Sequence, residues 1–567
     1  MKKKFTNLAL AMMMAVGVSL PAEADVIEHI GDRVIIHVDE MQLNGDESLL
    51  DIVMMMPECM STDGQTTYNN SLYGFWEIRI DNLNINVDAE SFLKNTKARD
   101  IKTVKLCMNP GIMKGCSNMK KVLDINFRTK EDGVSGTANI EGGTYGNGSS
   151  FNTVNYQHDN LNVKGWLVGN AGHEKDYASD MHSHMVSEQA KTQVSVDITP
   201  KDNLEVSLTQ DFHRSRCESS PVATGQLFEG DAVYTHSLSD DGAYGLLQFN
   251  YLYSNERASD GSHSRISLPV VVVEGYFPFL SHNLWLTPGL ETGYTYSRDV
   301  VGGVTNRQRY EDYYMQLDWQ INKFHFMCGD RFRMVNYWNN NDEYEHTWSN
   351  HYYTVTAWMN FNKHHTLQAL LAHRLFEPDN ETFNIRDNAG EIVGYNSENV
   401  YKPDCYVSEM RYTYQNDGFI LTSLLQNTHQ DFDRAARQKS GYDNNLSLGF
   451  TARWDVCNWL HLTAGANYNW EKYSNQAKGY VKHNNFVNLR LMPDISVGGW
   501  RMLATLLYNS RRSSDDLFPY YTPANFYAAL RVSKEVGKHL NLYADAHDLA
   551  DQRTGNREVS LGLTYKW

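Results

Sequence analysis

Val559-Ser560-Leu561-Gly562-Leu563-Thr564-Tyr565-Lys566-Trp567 closes the chain. Its odd positions are all apolar or aromatic, and Ser560, Gly562, Thr564 and Lys566 fall between them. Side chains of a β-strand alternate between two faces, so this stretch makes a strand with one greasy face and one wet face. The same rhythm returns upstream. Phe526, Ala528, Leu530 and Val532 alternate with Tyr527, Ala529, Arg531 and Ser533, and Leu446, Leu448, Phe450, Ala452 and Trp454 alternate with polar or small residues. Met315, Leu317, Trp319 and Ile321 flank Gln316, Asp318 and Gln320, while Leu204, Val206 and Leu208 flank Glu205 and Ser207. The run Val270–Val273 is the exception, being apolar throughout.

Each segment is about 9–13 residues long, enough for a tilted strand to cross the hydrocarbon layer. About 22 of them lie between Gly133 and Trp567, an even number, as a single-chain bacterial barrel requires. Connections alternate in length. Short ones fall at 201–203, 321–323, 415–418 and 497–499, and long loops are expected near 174–190, 300–312, 336–350, 375–403 and 430–444. That parity belongs to outer-membrane barrels, with short turns in the periplasm and long loops outside. A cylinder this wide needs a plug, and the hundred or so residues before the first strand are the right amount. The expected fold is an all-β transmembrane barrel of about 22 antiparallel strands with a small α+β plug domain in its lumen.

Lys2–Lys4, the apolar stretch Leu8–Leu20 and Ala22-Glu23-Ala24 have the layout of an export signal cleaved after Ala24. The expected organisation is signal peptide 1–24, plug 25–130 and barrel 131–567. Loss of three Lys and one Glu takes the formal charge from -17 to -19, which argues against nucleic acid as a partner. The mean hydropathy of -0.53 excludes a bundle of membrane helices but not a barrel, whose strands average out polar. Aromatic residues make up 12% of the chain, rich in the Tyr and Trp that gather at bilayer interfaces. Seven Cys leave an odd thiol; Cys107 and Cys116 are close enough in sequence to bridge or to remain reduced.

Residues 25–130 break the barrel rhythm. Leu49-Leu50-Asp51-Ile52-Val53-Met54-Met55-Met56-Pro57 resembles the helix that opens the plug of TonB-dependent receptors, and Ile78-Arg79-Ile80-Asp81-Asn82 resembles a plug strand of that family. Ala89–Lys94 is similar to the short helix after it, Val104–Leu106 with Asn109-Pro110-Gly111 to the next strand and turn, and Val122–Thr129 to the closing plug strand. The chain thus resembles a TonB-dependent receptor of the Bacteroidetes type. The resemblance implies binding of an extracellular ligand for import across the outer membrane. It implies TonB as a partner through the N-terminal segment, with a surface lipoprotein or another outer-membrane subunit as a further candidate. The sequence departs from the family at Glu58-Cys59 and in a glycine-poor stretch at 115–120, and Asp25–Ile30 is the only room for a TonB-binding strand. A non-transporting barrel, an adhesin or a scaffold in an outer-membrane complex, is the alternative.

Candidate ligand contacts are Tyr337, Trp338 and Trp348, which mix with Asp342, Glu343 and Glu345, and Tyr520 and Tyr521. Aromatic platforms beside carboxylates suit sugars or cations; an interfacial aromatic belt accounts for the same residues. His182 and His184, with Met181 and Met185, could take a soft metal, though a surface loop with incidental His reads the same way. Arg453, Arg490, Arg531, Asp318 and Asp545 fall on lumen positions, where salt bridges to the plug are expected. No nucleophile elbow, catalytic triad or Walker loop occurs, so neither an enzyme nor a cofactor is expected.

Overall fold

A computed structural model describes residues 27–30, 33–41, 47, 49–54, 77–80, 83–84, 93, 96, 98, 101–107, 122–127 and 132–567, the last range without 177–180, 218–221, 240–241, 260, 262, 280, 300–304, 340–344, 376–383, 387–391, 396–403, 417, 432–441, 476–479, 514–520, 523, 538, 548 and 551–557. The expected export signal, Tyr520 and Cys116 lie outside the described residues.

From Gly133 onward, antiparallel strands follow one another until Glu558–Lys566 pairs with Gly133–Gly143 and shuts the cylinder. The closed barrel has 22 strands, and the period-two burial seen along each strand separates lumen from lipid. On Glu558–Lys566 the outward Val559, Leu561, Leu563 and Tyr565 are exposed while Ser560 and Thr564 are buried. Val270–Val273 fits the same scheme, for Val271 and Val273 are exposed and Val272 is buried on the lumen side. Its unreadable alternation arises because the lumen wall is apolar there.

The short connections are tight turns that use residues tolerant of positive φ. Gly498 and Gly499 have φ of 61° and 77°, and Asn322 and Asp159 have φ of 52° and 48°. At the opposite rim the strands run further than expected. Met181–Thr199 and Ser281–Asp299 have 19 residues each, and Glu345–Asn362 has 18. Much of the supposed loops 174–190, 300–312 and 336–350 is therefore strand. A strand crosses hydrocarbon in about 9–11 residues, and beyond the lipid neither face need be apolar, so the alternation that reveals strands fades.

In the N-terminal part β1 (Ile27–Ile30), β2 (Arg33–His37), α1 (Leu49–Met54), β3 (Glu77–Ile80), β4 (Leu83–Asn84), β5 (Ile101–Cys107) and β6 (Val122–Phe127) build a sheet of order β1-β2-β5-β6-β3-β4. Strands β3 and β6 are parallel; the other neighbours are antiparallel. Val34, Ile36, Leu49, Ile52, Val104, Leu106 and Ile125 form its core, continuous with Phe151, Trp166, Val168 and Ile420 of the barrel wall. The plug sits in the lumen, its apolar face buried against the cylinder.

Candidate functional site in the barrel lumen

Two groups of side chains occupy the lumen face. The first fastens the plug. Arg501, on the strand Trp500–Asn509, donates from Nε to Asp494 Oδ1 at 2.8 Å and from Nη1 to Glu47 Oε1 at 2.6 Å. Glu47 belongs to the plug and is buried, as are Arg501 and Asp494. Close by, Phe127 at the end of β6 stacks on Trp166 at 5.9 Å between ring centroids, and Lys191 Nζ lies 5.3 Å from the same indole. Met41 packs against the wall cluster of Met492, Leu503, Leu507 and Tyr527.

The second group is an ionic lattice along five neighbouring strands. Arg331 donates to Asp312 from Nε at 2.8 Å and to Glu291 from Nη2 at 2.7 Å, and Arg333 donates from Nε to Asp312 at 2.6 Å. Tyr310 donates to Glu291 at 3.0 Å; Tyr314 and Tyr244 donate to the two oxygens of Glu274 at 2.9 and 3.1 Å. The guanidinium of Arg331 lies 4.9 Å from the ring of Tyr314, and that of Arg333 lies 4.7 Å from Tyr310. Tyr337, Trp348 and Tyr352 join Val335, Leu370, Ala372, Cys405 and Val407 in a buried apolar patch beside it. Partnered cations and anions packed under aromatic rings make a stiff wall rather than a reactive centre.

Sequence reasoning grouped Tyr337 with Trp338, but alternation parts them. Tyr337 is buried on the lumen side with Trp348, whereas Trp338 is half-buried on the outer side, 6.0 Å from Tyr294. All three lie in the strands Phe324–Asn339 and Glu345–Asn362 and not in a loop. Tyr521 belongs to a two-residue strand paired with Arg512–Ser513. His182 and His184 sit in the strand Met181–Thr199, where His184 is exposed and lies in register with His173 and Arg216. Among the described residues the three-ligand grouping is Asp132, His158 and Asp159, all exposed at the short-turn end. Of the expected lumen charges, Arg531 holds Asp545, and Arg453 lies 3.6 Å from Asp455, both within the wall. The described bridge to the plug is made instead by Arg501, which pattern reading had passed over.

A cylinder of 22 strands closed on itself and filled by its own N-terminal sheet leaves few architectures to compare. The chain aligns with the siderophore receptor PirA of Pseudomonas aeruginosa at a TM-score of 0.68 and 12% identity, over 95% of this chain and 100% of that one. Against the copper transporter OprC the TM-score is 0.73 at 10% identity, covering 94% and 100%. Against the ferric yersiniabactin uptake receptor FyuA of Yersinia pestis it is 0.69 at 11% identity, covering 96% and 98%. The fold is that of the TonB-dependent receptors. No protein-family model matches the sequence, and none of the curated proteins matches it. Likeness at such low identity extends to the backbone and not to the lumen's side chains.

Proposed function

We propose that this protein captures a ligand at its outer rim and admits it across the outer membrane when the plug is remodelled. The observation that supports this is the plug sheet seated in the closed lumen and held by the Arg501–Glu47 ion pair. A non-transporting scaffold has no need of a separately folded stopper. In this reading residues 1–24 are removed on export, 25–130 form the plug and 131–567 the barrel. Among the described residues strand β1 terminates the plug sheet and pairs on one side only, with β2. A free edge of this kind accepts a further strand by backbone hydrogen bonding, which suits it to TonB or a protein working like it. The structural neighbours named above carry siderophores or metals, so metal ions and metal chelates are the first ligands to try.

The test is uptake by whole cells of a panel of ferric siderophores and copper salts, with the intact chain and with residues 25–35 deleted. The deletion should abolish uptake while leaving the barrel in the membrane. Uptake unchanged by the deletion would overturn energised transport.

A further inference from the structure

The outer wall carries a charge pattern that import does not require. On four strands, the succession of residues facing away from the lumen runs from apolar through aromatic to arginine toward the long-loop rim, with Gln210, Asn255, Thr292 and Glu311 interspersed, and a fifth strand ends on arginine without the aromatic. Along Asp202–Cys217 it reads Val206, Leu208, Phe212, Arg214, Arg216, and along Tyr244–Ala258 it reads Leu247, Phe249, Tyr251, Tyr253, Arg257. Along Ser281–Asp299 it is Leu290, Tyr294, Tyr296, Arg298, and along Thr305–Ile321, read from the other end, it is Met315, Tyr313, Arg309, Arg307. His263–Phe279 gives Val273, Val271 and then Arg265. Leu208, Phe249, Val273, Leu290 and Met315 are exposed, as a lipid-facing band must be. Arg214 stands roughly 15 Å nearer the rim than Leu208, given about 3.4 Å of rise per residue and a tilt near 40°. That is where lipid headgroups begin.

Register joins these residues into one belt. Arg214 is paired through Thr224 to Arg257, Arg265 stands directly opposite Arg298, and Arg307 lies between Tyr296 and Trp338. Like charges directly opposed on one face destabilise a sheet. Among the described residues, only Arg309 of the seven is in an ion pair, with Glu311. Composition does not explain the belt, because the chain as a whole carries a charge of -17. The acids Asp211 and Glu256 fall on the lumen side of the same strands, while Glu311, the partner of Arg309, is an acid on the outward face. No arginine occupies an outward position on the five strands from Asp404–Asn416 to Tyr480–Val497, so the belt covers one flank only.

We infer that this flank binds the phosphorylated headgroups of outer-leaflet glycolipids. Guanidinium forks match phosphate geometry, and tyrosines beneath them sit at the level where acyl chains meet sugars. A phosphate between Arg265 and Arg298 turns their repulsion into a bridge.

The experiment uses the full chain purified in detergent, titrated with bisphosphorylated lipid A and with its dephosphorylated form, and read by native mass spectrometry. Each arginine beside an anionic headgroup layer is worth about fivefold in affinity. Replacing Arg214, Arg257, Arg265 and Arg298 together by Gln should weaken lipid A binding roughly six-hundredfold, while K472Q on the opposite flank should not change it. The dephosphorylated lipid should not be retained, and millimolar inorganic phosphate should not displace lipid A. Equal binding by the fourfold variant, or equal retention of the dephosphorylated lipid, overturns the inference. Displacement by inorganic phosphate also overturns it, by making the belt a site for free anions. Heat-modified gel mobility reports whether the fourfold variant folds; if it does not, the pair R265Q/R298Q is read in its place, with roughly a twenty-five-fold loss expected.

Discussion

Arg501 is held between two carboxylates, Asp494 on the adjacent strand and Glu47 in the plug, and all three are buried. Removing the cation takes one buried charge partner from each anion, a change that costs about 3–5 kcal/mol. Arg501→Met is therefore expected to loosen the plug strongly. Glu47→Gln keeps a hydrogen-bonding oxygen and should loosen it less. Limited trypsin digestion of the purified protein should cut the plug much faster in R501M than in E47Q, with the intact protein slowest; equal rates would show that the pair does not retain the plug. The place of Arg501 on the lumen face was legible, since it follows Trp500 and precedes Met502 in an alternating stretch. Its partner was not. Glu47 lies 454 positions away, and nothing local in either segment encodes the meeting.

Between strands, a repeated device couples glycine to tyrosine. Gly289 is in register with Tyr314, Gly293 with Tyr310 and Gly562 with Tyr543. A Cβ on these glycines would fall 2.0, 2.3 and 2.0 Å from atoms of the facing ring. Each ring lies across the bare backbone of its glycine, and its hydroxyl then reaches a carboxylate: Glu274, Glu291 and Glu141 respectively. The glycines thus shape the lumen wall by giving the tyrosines somewhere to lie. Gly289→Val should push Tyr314 off Glu274 and destabilise the barrel by about 1–3 kcal/mol from overpacking alone. Gly172→Val, with nothing within 4 Å of its Cβ position, should be nearly neutral. The temperature at which each variant loses its folded mobility in gels decides the matter. Alternation within one strand is visible in sequence because lipid and lumen impose it. Which glycine faces which ring depends on register, and register is set by turns and neighbours rather than by the strand itself.

For the molecule as a whole, the barrel was readable because bilayer thickness and strand period act on every segment alike. The strand ends beyond the lipid were misread as loops because that constraint stops at the membrane surface. The plug was recognised through α1, β3, β5 and β6, whose pieces fall where the resemblance placed them. Trp567 exchanges backbone hydrogen bonds with Gly136, and a Cβ at Gly136 would lie 2.4 Å from its indole and 2.3 Å from the carbonyl of Thr153. Gly136→Leu should obstruct closure and lower the yield of folded, membrane-inserted protein several-fold, whereas Gly142→Leu, with open space around it, should fold normally. Equal folded yields would mean that Trp567 gives way and the seam tolerates bulk.

Across that seam Asn139 donates to Thr564, a residue 425 positions later. A chain lacking its final strand consequently carries two raw hydrogen-bonding borders, each a template for a neighbouring molecule. Biogenesis in the cell must keep such polypeptides apart until the circle is complete, so this protein should depend on an escort through the periplasm far more than on any intrinsic speed of folding.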